Sequence, residues 1–181
     1  KRIPIVDLND NLDLGLPRVR SDHEAIGTLA ARHLLERGFQ QFGFCGFSGI
    51  AESEWEPRRR AGFTKTVAAA GFPCHLCQSR WSRRRSVPWE EEQRKLAAWL
   101  QSLPKPVGVM ACNDMRGQQV LDACRTAAIS VPDQVAVIGV DNDEMLCDLC
   151  DPPLSSVIPN PEQIGFQAAL LLDDWIAGRR P

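Results

Sequence analysis

At 181 residues, with 44% hydrophobic and 24% charged side chains, the chain has the composition of an ordinary globular domain and enough apolar residues for a sizeable core. A formal net charge of -2 excludes a global electrostatic attraction to nucleic acid or to an anionic membrane surface. No apolar run approaches the roughly 20 residues that span a bilayer, and Lys1-Arg2-Ile3-Pro4 opens into a strand-like segment, not a signal sequence.

In chain order the pattern alternates between strand and helix. An apolar stretch at residues 3–8 reads as a first strand, followed by a helix over 24–36 whose Ile26, Leu29, Ala30, His33 and Leu34 share one face and whose stop is Gly38. Asp22 stands where an N-cap is expected. A strand over 41–47 leads to a helix over 57–70, with Ala61, Phe63, Val67 and Ala68 near one stripe and Gly71 at its end. Strand 73–78, helix 89–102, strand 107–112, helix 115–128, strand 135–140 and helix 161–177 complete the series. Short connections and strict alternation predict a parallel α/β sheet, and no internal repeat or low-complexity segment interrupts it.

The strand Val135-Ala136-Val137-Ile138-Gly139-Val140 is apolar throughout, as a strand covered on both faces must be, and it stops on Asp141-Asn142. The preceding strand stops in the same way on Asn113-Asp114. Both pairs therefore emerge at the carboxyl edge of the sheet, where open α/β sheets bind ligands. Short side chains that donate and accept there suit the hydroxyls of a sugar. Helix capping accounts equally well for either pair alone.

Seven cysteines, an odd number spread through strands and helices, point to reduced and mostly buried thiols, as in a cytoplasmic protein. Cys74/Cys77 and Cys147/Cys150 have metal-like spacing, but the first pair lies on a predicted strand, where positions i and i+3 face opposite sides. No metal site or cofactor is expected. The run Arg80-Trp81-Ser82-Arg83-Arg84-Arg85 has a composition found at nucleic-acid contacts. Glu90-Glu91-Glu92 follows closely, and a solvated loop paired with those acids is expected.

The ordered motifs Val19-x-x-Asp22, His33-Leu34-x-x-x-Gly38, Phe42-Gly43-Phe44-Cys45-Gly46, Arg59-x-x-Gly62-Phe63, Met110-Ala111-Cys112-Asn113-Asp114, Val131-Pro132-Asp133 through Asp141, and Pro153-Leu154-Ser155-Ser156-Val157 resemble the effector domain of the LacI/GalR regulator family over nearly the whole chain. Trp55-x-x-x-Arg59, Leu96-Ala97-Ala98-Trp99-Leu100 and Gly139 to Glu144 are most similar to the branch that regulates xylose operons. The resemblance implies a periplasmic-binding-protein-like fold of two doubly wound lobes closing over a sugar. It assigns residues 1–36 to part of an N-terminal lobe, 37–154 to a C-terminal lobe, and 155–181 to a return crossover and helix of the N-terminal lobe. It also implies a longer protein, dimeric, with a DNA-binding domain beyond Pro181.

Carried over position by position, the resemblance implies ligand contacts from Arg59, Asp141, Asn113, Trp55 and Asn9. Arg59, expected at the opening of a helix, offers a planar fork of donors that can bridge two sugar oxygens. Asp141 accepts from hydroxyls, and Asn113 can do both. Trp55 can stack on the C–H face of a sugar or close the lobe's core. Where many family members carry a glutamine in the second crossover this chain has Pro159, which removes one expected hydroxyl contact.

The function implied is a sugar sensor, probing for a monosaccharide such as a pentose and switching the DNA binding of an attached domain. A periplasmic sugar-binding protein of a transport system has the same fold, but unpaired thiols argue against an oxidising compartment. An enzyme is not expected. The sequence has no Gly-x-Ser-x-Gly elbow, Gly-x-Gly-x-x-Gly fingerprint or phosphate loop, and His23, His33 and His75 have no evident nucleophile partner.

Overall fold

In the computed structural model, residues 3–8, 14–48, 54–80 and 88–179 are described. The elements are α1 (His23–Glu36), β1 (Phe42–Ser48), α2 (Trp55–Ala69), β2 (Cys74–Arg80), α3 (Trp89–Ser102), β3 (Val107–Ala111), α4 (Asp114–Thr126), β4 (Val135–Val140), α5 (Glu144–Leu149), β5 (Ser155–Val157) and α6 (Pro161–Ile176). All five strands are parallel, in the order β2-β1-β3-β4-β5. Chain order reverses between β1 and β3, so the carboxyl ends of these strands open a crevice of the kind that holds ligands in doubly wound sheets.

Helices cover both faces. On one side Ile26, Ala30, Ala31 and Leu34 of α1 join Phe63 and Val67 of α2 over Phe42, Phe44, Met110 and Ile138 of the sheet. On the other, Leu96 and Leu100 of α3 and Val120, Ala123 and Cys124 of α4 cover Cys45, Val107, Val109 and Val135. β3 is buried along its whole length, which is why its sequence is continuously apolar and not alternating. The helices α1 and α2 meet backbone to backbone. A Cβ on Gly27 would overlap the Arg59 carbonyl, and one on Gly62 would overlap the Glu24 carbonyl. Glycine at both positions sets the spacing of the two helices that carry His23 and Arg59.

One expectation needs correction. Residues 3–8 form no strand: their only ladder feature is a bridge from Asp7 to Arg18, with Asp7 donating to the Pro17 carbonyl at 2.8 Å and Val19 donating back at 3.0 Å. Proline at positions 4 and 17 removes two donors that a longer pairing would use. Across the expected boundaries at 36/37 and 154/155, α1 sits in the same core as β1 and β3, and β5 pairs with β4. Two elements, β5 and α5, are absent from the predicted series. Both are short, three and six residues, and neither displays a full period of apolar spacing.

Cys74 packs with the α1/α2 side of the sheet and Cys77 with the α3/α4 side, as strand alternation requires. Among the described residues no group of three or more His, Cys, Asp or Glu side chains is placed to hold a metal ion. Nor is any helix there long and apolar enough to cross a membrane. Of the basic run at 80–85, residues 81–85 lie outside the described residues.

Candidate functional site

A cleft of about 230 Å³ opens at the carboxyl edge, lined by Leu8, Arg20, Ser21, His23, Trp55, Arg59, Asn113, Asp141 and Ile164. The structure thus brings together Arg59, Asp141, Asn113 and Trp55, which arrive from the start of α2, the end of β3 and the end of β4. Asn9 lies outside the described residues.

Arg59 sits one turn inside α2, not at its opening, and is only 5% exposed. Its guanidinium is held at three points. Nη1 donates to the Cys112 carbonyl at 2.7 Å, Nη2 to Oδ1 of Asp141 at 2.9 Å, and Nε to Nδ1 of His23 at 3.4 Å. Because arginine can only donate, Nδ1 of His23 is the acceptor in this contact. The Trp55 ring packs against the guanidinium, 4.9 Å from its centroid to Cζ, while also touching the apolar core. Trp55 thus packs against the core and also lines the cleft.

Asp141 is the exposed half of this arrangement. Its side chain retains 48% exposure beside a guanidinium with 6%. Partial burial raises its carboxyl above the ordinary carboxylate value, and the charge and hydrogen bond of Arg59 pull in the opposite direction. Its backbone has φ 111° and Asn142 follows at φ 52°, a region that L-residues seldom occupy and that costs on the order of 1–3 kcal/mol unless the surroundings enforce it.

Asp114 supplies that enforcement. Buried at the start of α4, it accepts from the Ser156 hydroxyl at 2.6 Å through Oδ1 and from the Asp143 amide at 2.9 Å through Oδ2. The Ser156 hydroxyl in turn accepts from the Asn142 amide at 3.0 Å, and the Asp141 amide donates to the Val157 carbonyl at 3.0 Å. Each amide of the 141–143 turn is thereby tied down. Gly139 completes the fit, since a Cβ there would overlap Oδ1 of Asp114.

Capping accounts for part of what was read as rim chemistry. Asn113 caps α4 by accepting from the Arg116 amide at 2.9 Å, and Asp22 caps α1 by accepting from Ala25 at 2.9 Å. Asn113 nevertheless lines the cleft as well. Sequence reasoning missed His23, Arg20 and Ser21, which precede or begin α1. The only signal was their adjacency to the Asp22 cap, since their approach to α2 depends on the Gly27/Gly62 contact.

Residues 31–181 match the model of the periplasmic binding protein-like domain. The chain belongs to this family. It is 35% identical over 164 residues to the xylose operon regulatory protein of Haemophilus influenzae, a match that covers 91% of this chain and 42% of that protein. A solved xylose-binding transcription activator superposes with a TM-score of 0.84 at 31% identity, covering 97% of this chain and 47% of the other. A LacI-family transcriptional regulator from Enterococcus faecium, solved with bound ribose, gives a TM-score of 0.76 at 26% identity, over 96% of this chain and 62% of that one. The resemblance to LacI/GalR effector domains read from the motifs agrees with these relatives, and the periplasmic-binding-protein-like architecture agrees with their fold. The chain spans less than half the length of the curated relatives it matches.

Proposed function

We propose that this chain is the sensor part of a sugar-responsive transcription regulator, which binds a neutral monosaccharide, a pentose such as xylose, in the Arg59/Asp141 cleft. The observation that carries this reading is the convergence of a buried, fixed guanidinium, a half-exposed carboxylate, an amide side chain and an indole on one small cleft at the sheet's carboxyl edge. Donors and an acceptor held at fixed spacing suit vicinal hydroxyls, and the volume, below the roughly 300–1,000 Å³ of sites for drug-sized ligands, suits one sugar ring.

The complete protein is then a cytoplasmic homodimer that holds operator DNA through a domain outside this chain. Sugar bound between two lobes favours the closed arrangement, and that population shift is what the DNA-binding part reads. The xylose and ribose named for its relatives support the pentose assignment. The transport alternative shares the fold. Seven free cysteines, five of them buried, favour the regulator. Calorimetry of the full-length protein against a monosaccharide panel tests the reading. Heat from a pentose is the expected result, and binding confined to purines or phosphorylated sugars contradicts it.

A further inference from the structure

Away from the cleft, on the α3/α4 side of the same sheet edge, Cys45 of β1 and Cys77 of β2 are register partners on adjacent parallel strands. Both side chains point into one cluster. Neighbouring strands lie roughly 4.8 Å apart, inside the roughly 4.4–6.8 Å Cα separation that a disulfide requires. Arg116, fully buried, donates through Nε to the Cys45 sulfur at 3.1 Å. Cys45 has no solvent exposure, whereas Cys77 is partly exposed.

We propose that Cys45 and Cys77 form a peroxide-oxidisable dithiol, with Cys77 the attacking sulfur and Cys45 the resolving one. The order follows from access, since only Cys77 can meet an oxidant from solution. The Cys77 sulfur attacks one oxygen of the peroxide, the O–O bond breaks, and the departing oxygen takes up the Cys77 proton to leave as water or an alcohol. The resulting Cys77 sulfenic acid is attacked by the Cys45 sulfur. The S–O bond breaks, and hydroxide leaves with the Cys45 proton as a second molecule of water. Two thiols lose two electrons in all, and these reduce the peroxide bond.

The other cysteines lack this chemistry. Burial pushes Cys74 and Cys112 up to about 12 and Cys124 to about 11, and it pushes Cys147 up to about 12 with the help of Asp114. Cys77 alone shifts toward the thiolate, chiefly through the neighbouring Cys45 thiol and then through the charge of Arg116, against the effect of burial.

The test is treatment of the folded full-length protein with hydrogen peroxide, followed by thiol counting and peptide mapping. Loss of two thiols, a Cys45–Cys77 cross-linked peptide and full recovery with dithiothreitol are expected. Cys77→Ser should keep its remaining thiols, and Cys45→Ser should leave a sulfenic acid on Cys77 that a dione reagent traps. Retention of every thiol, a disulfide mapped to any other pair, or equal loss in Cys77→Ser would overturn the proposal. Mapping of the unsubstituted protein decides the matter even where a variant folds poorly.

Discussion

Arg59 and Arg116 stand at the same edge of one sheet, on opposite faces, and both are buried beside an acid. Arg116 has no solvent exposure, and its partner Glu92 retains 16%. Its remaining donors go to Gln119, Ser79 and the Cys45 sulfur, with Phe47 packed over the guanidinium. Arg59 is held almost as tightly, but its partner Asp141 is half exposed and faces the cleft. An acid whose other lone pairs face water can exchange that water for ligand hydroxyls. A saturated pair cannot, so in the function proposed above Arg59 serves recognition, while Arg116 serves the fold.

The sharpest break in the comparison is Arg116→Met. It leaves the partly buried Glu92 without its cation, and breaking a buried pair in this way costs up to about 3–5 kcal/mol. The melting temperature should fall steeply while sugar affinity, measured well below the transition, stays within a few-fold. A large affinity loss with little change in melting would reverse the roles assigned to the two arginines.

Asp141→Ala should do the opposite. Losing a charge-assisted acceptor costs roughly 1.5–3 kcal/mol, about ten- to a hundredfold in affinity, and calorimetry on the full-length protein reads it directly. Unchanged affinity with a clearly lower melting temperature would make Asp141 a structural partner of Arg59 and nothing more.

Gly62→Ala probes how the recognition arginine is placed. The added methyl must displace α1 from α2 at the Glu24 carbonyl, a strain of about 1–3 kcal/mol. Stability should fall, and affinity should fall with it because His23 and Arg59 separate. Normal affinity in this variant would remove the helix contact from the account of the site.

Much of this was legible in the chain. Val135 to Val140 is apolar at every position because helices cover both faces, so the strand and the emergence of Asp141 from it could be read directly. Residues 3–8 misled because apolar composition does not supply a ladder partner, and β5 went unseen because three residues are too few to show a period. Arg59 stood out only through its motif. Arg116 lies at an ordinary helical position, and what distinguishes it is contact with β2 and α3, which sequence spacing does not display. Asp114 was seen as a rim residue, yet it faces inward and holds the turn.

A smaller effect concerns pH. The carboxyl of Asp141 sits above its ordinary value chiefly through burial, so its ionised form is a cost to the folded state. The associated stability is present below the unfolded value, roughly 3.9, and is lost as pH rises through the folded one. Sugar binding has the opposite dependence, because the acceptor must be ionised. Affinity should weaken as pH falls, beginning above the range of an unperturbed aspartate, while Asp141→Asn should be flat across the same titration.

The central claim is that ligand recognition resides in the Arg59/Asp141 cleft. The most direct measurement is a nuclear magnetic resonance titration of the full-length protein with xylose, following the Arg59 Nε–H, the Asn113 side-chain amide, the Trp55 indole N–H and the Asp141–Asp143 backbone amides. The account predicts saturable shifts concentrated on these groups, with Arg116 and its neighbours nearly unmoved. Shifts centred instead on the groove of about 590 Å³ at the other edge of the sheet, around His33, Arg37 and Pro132, would contradict it.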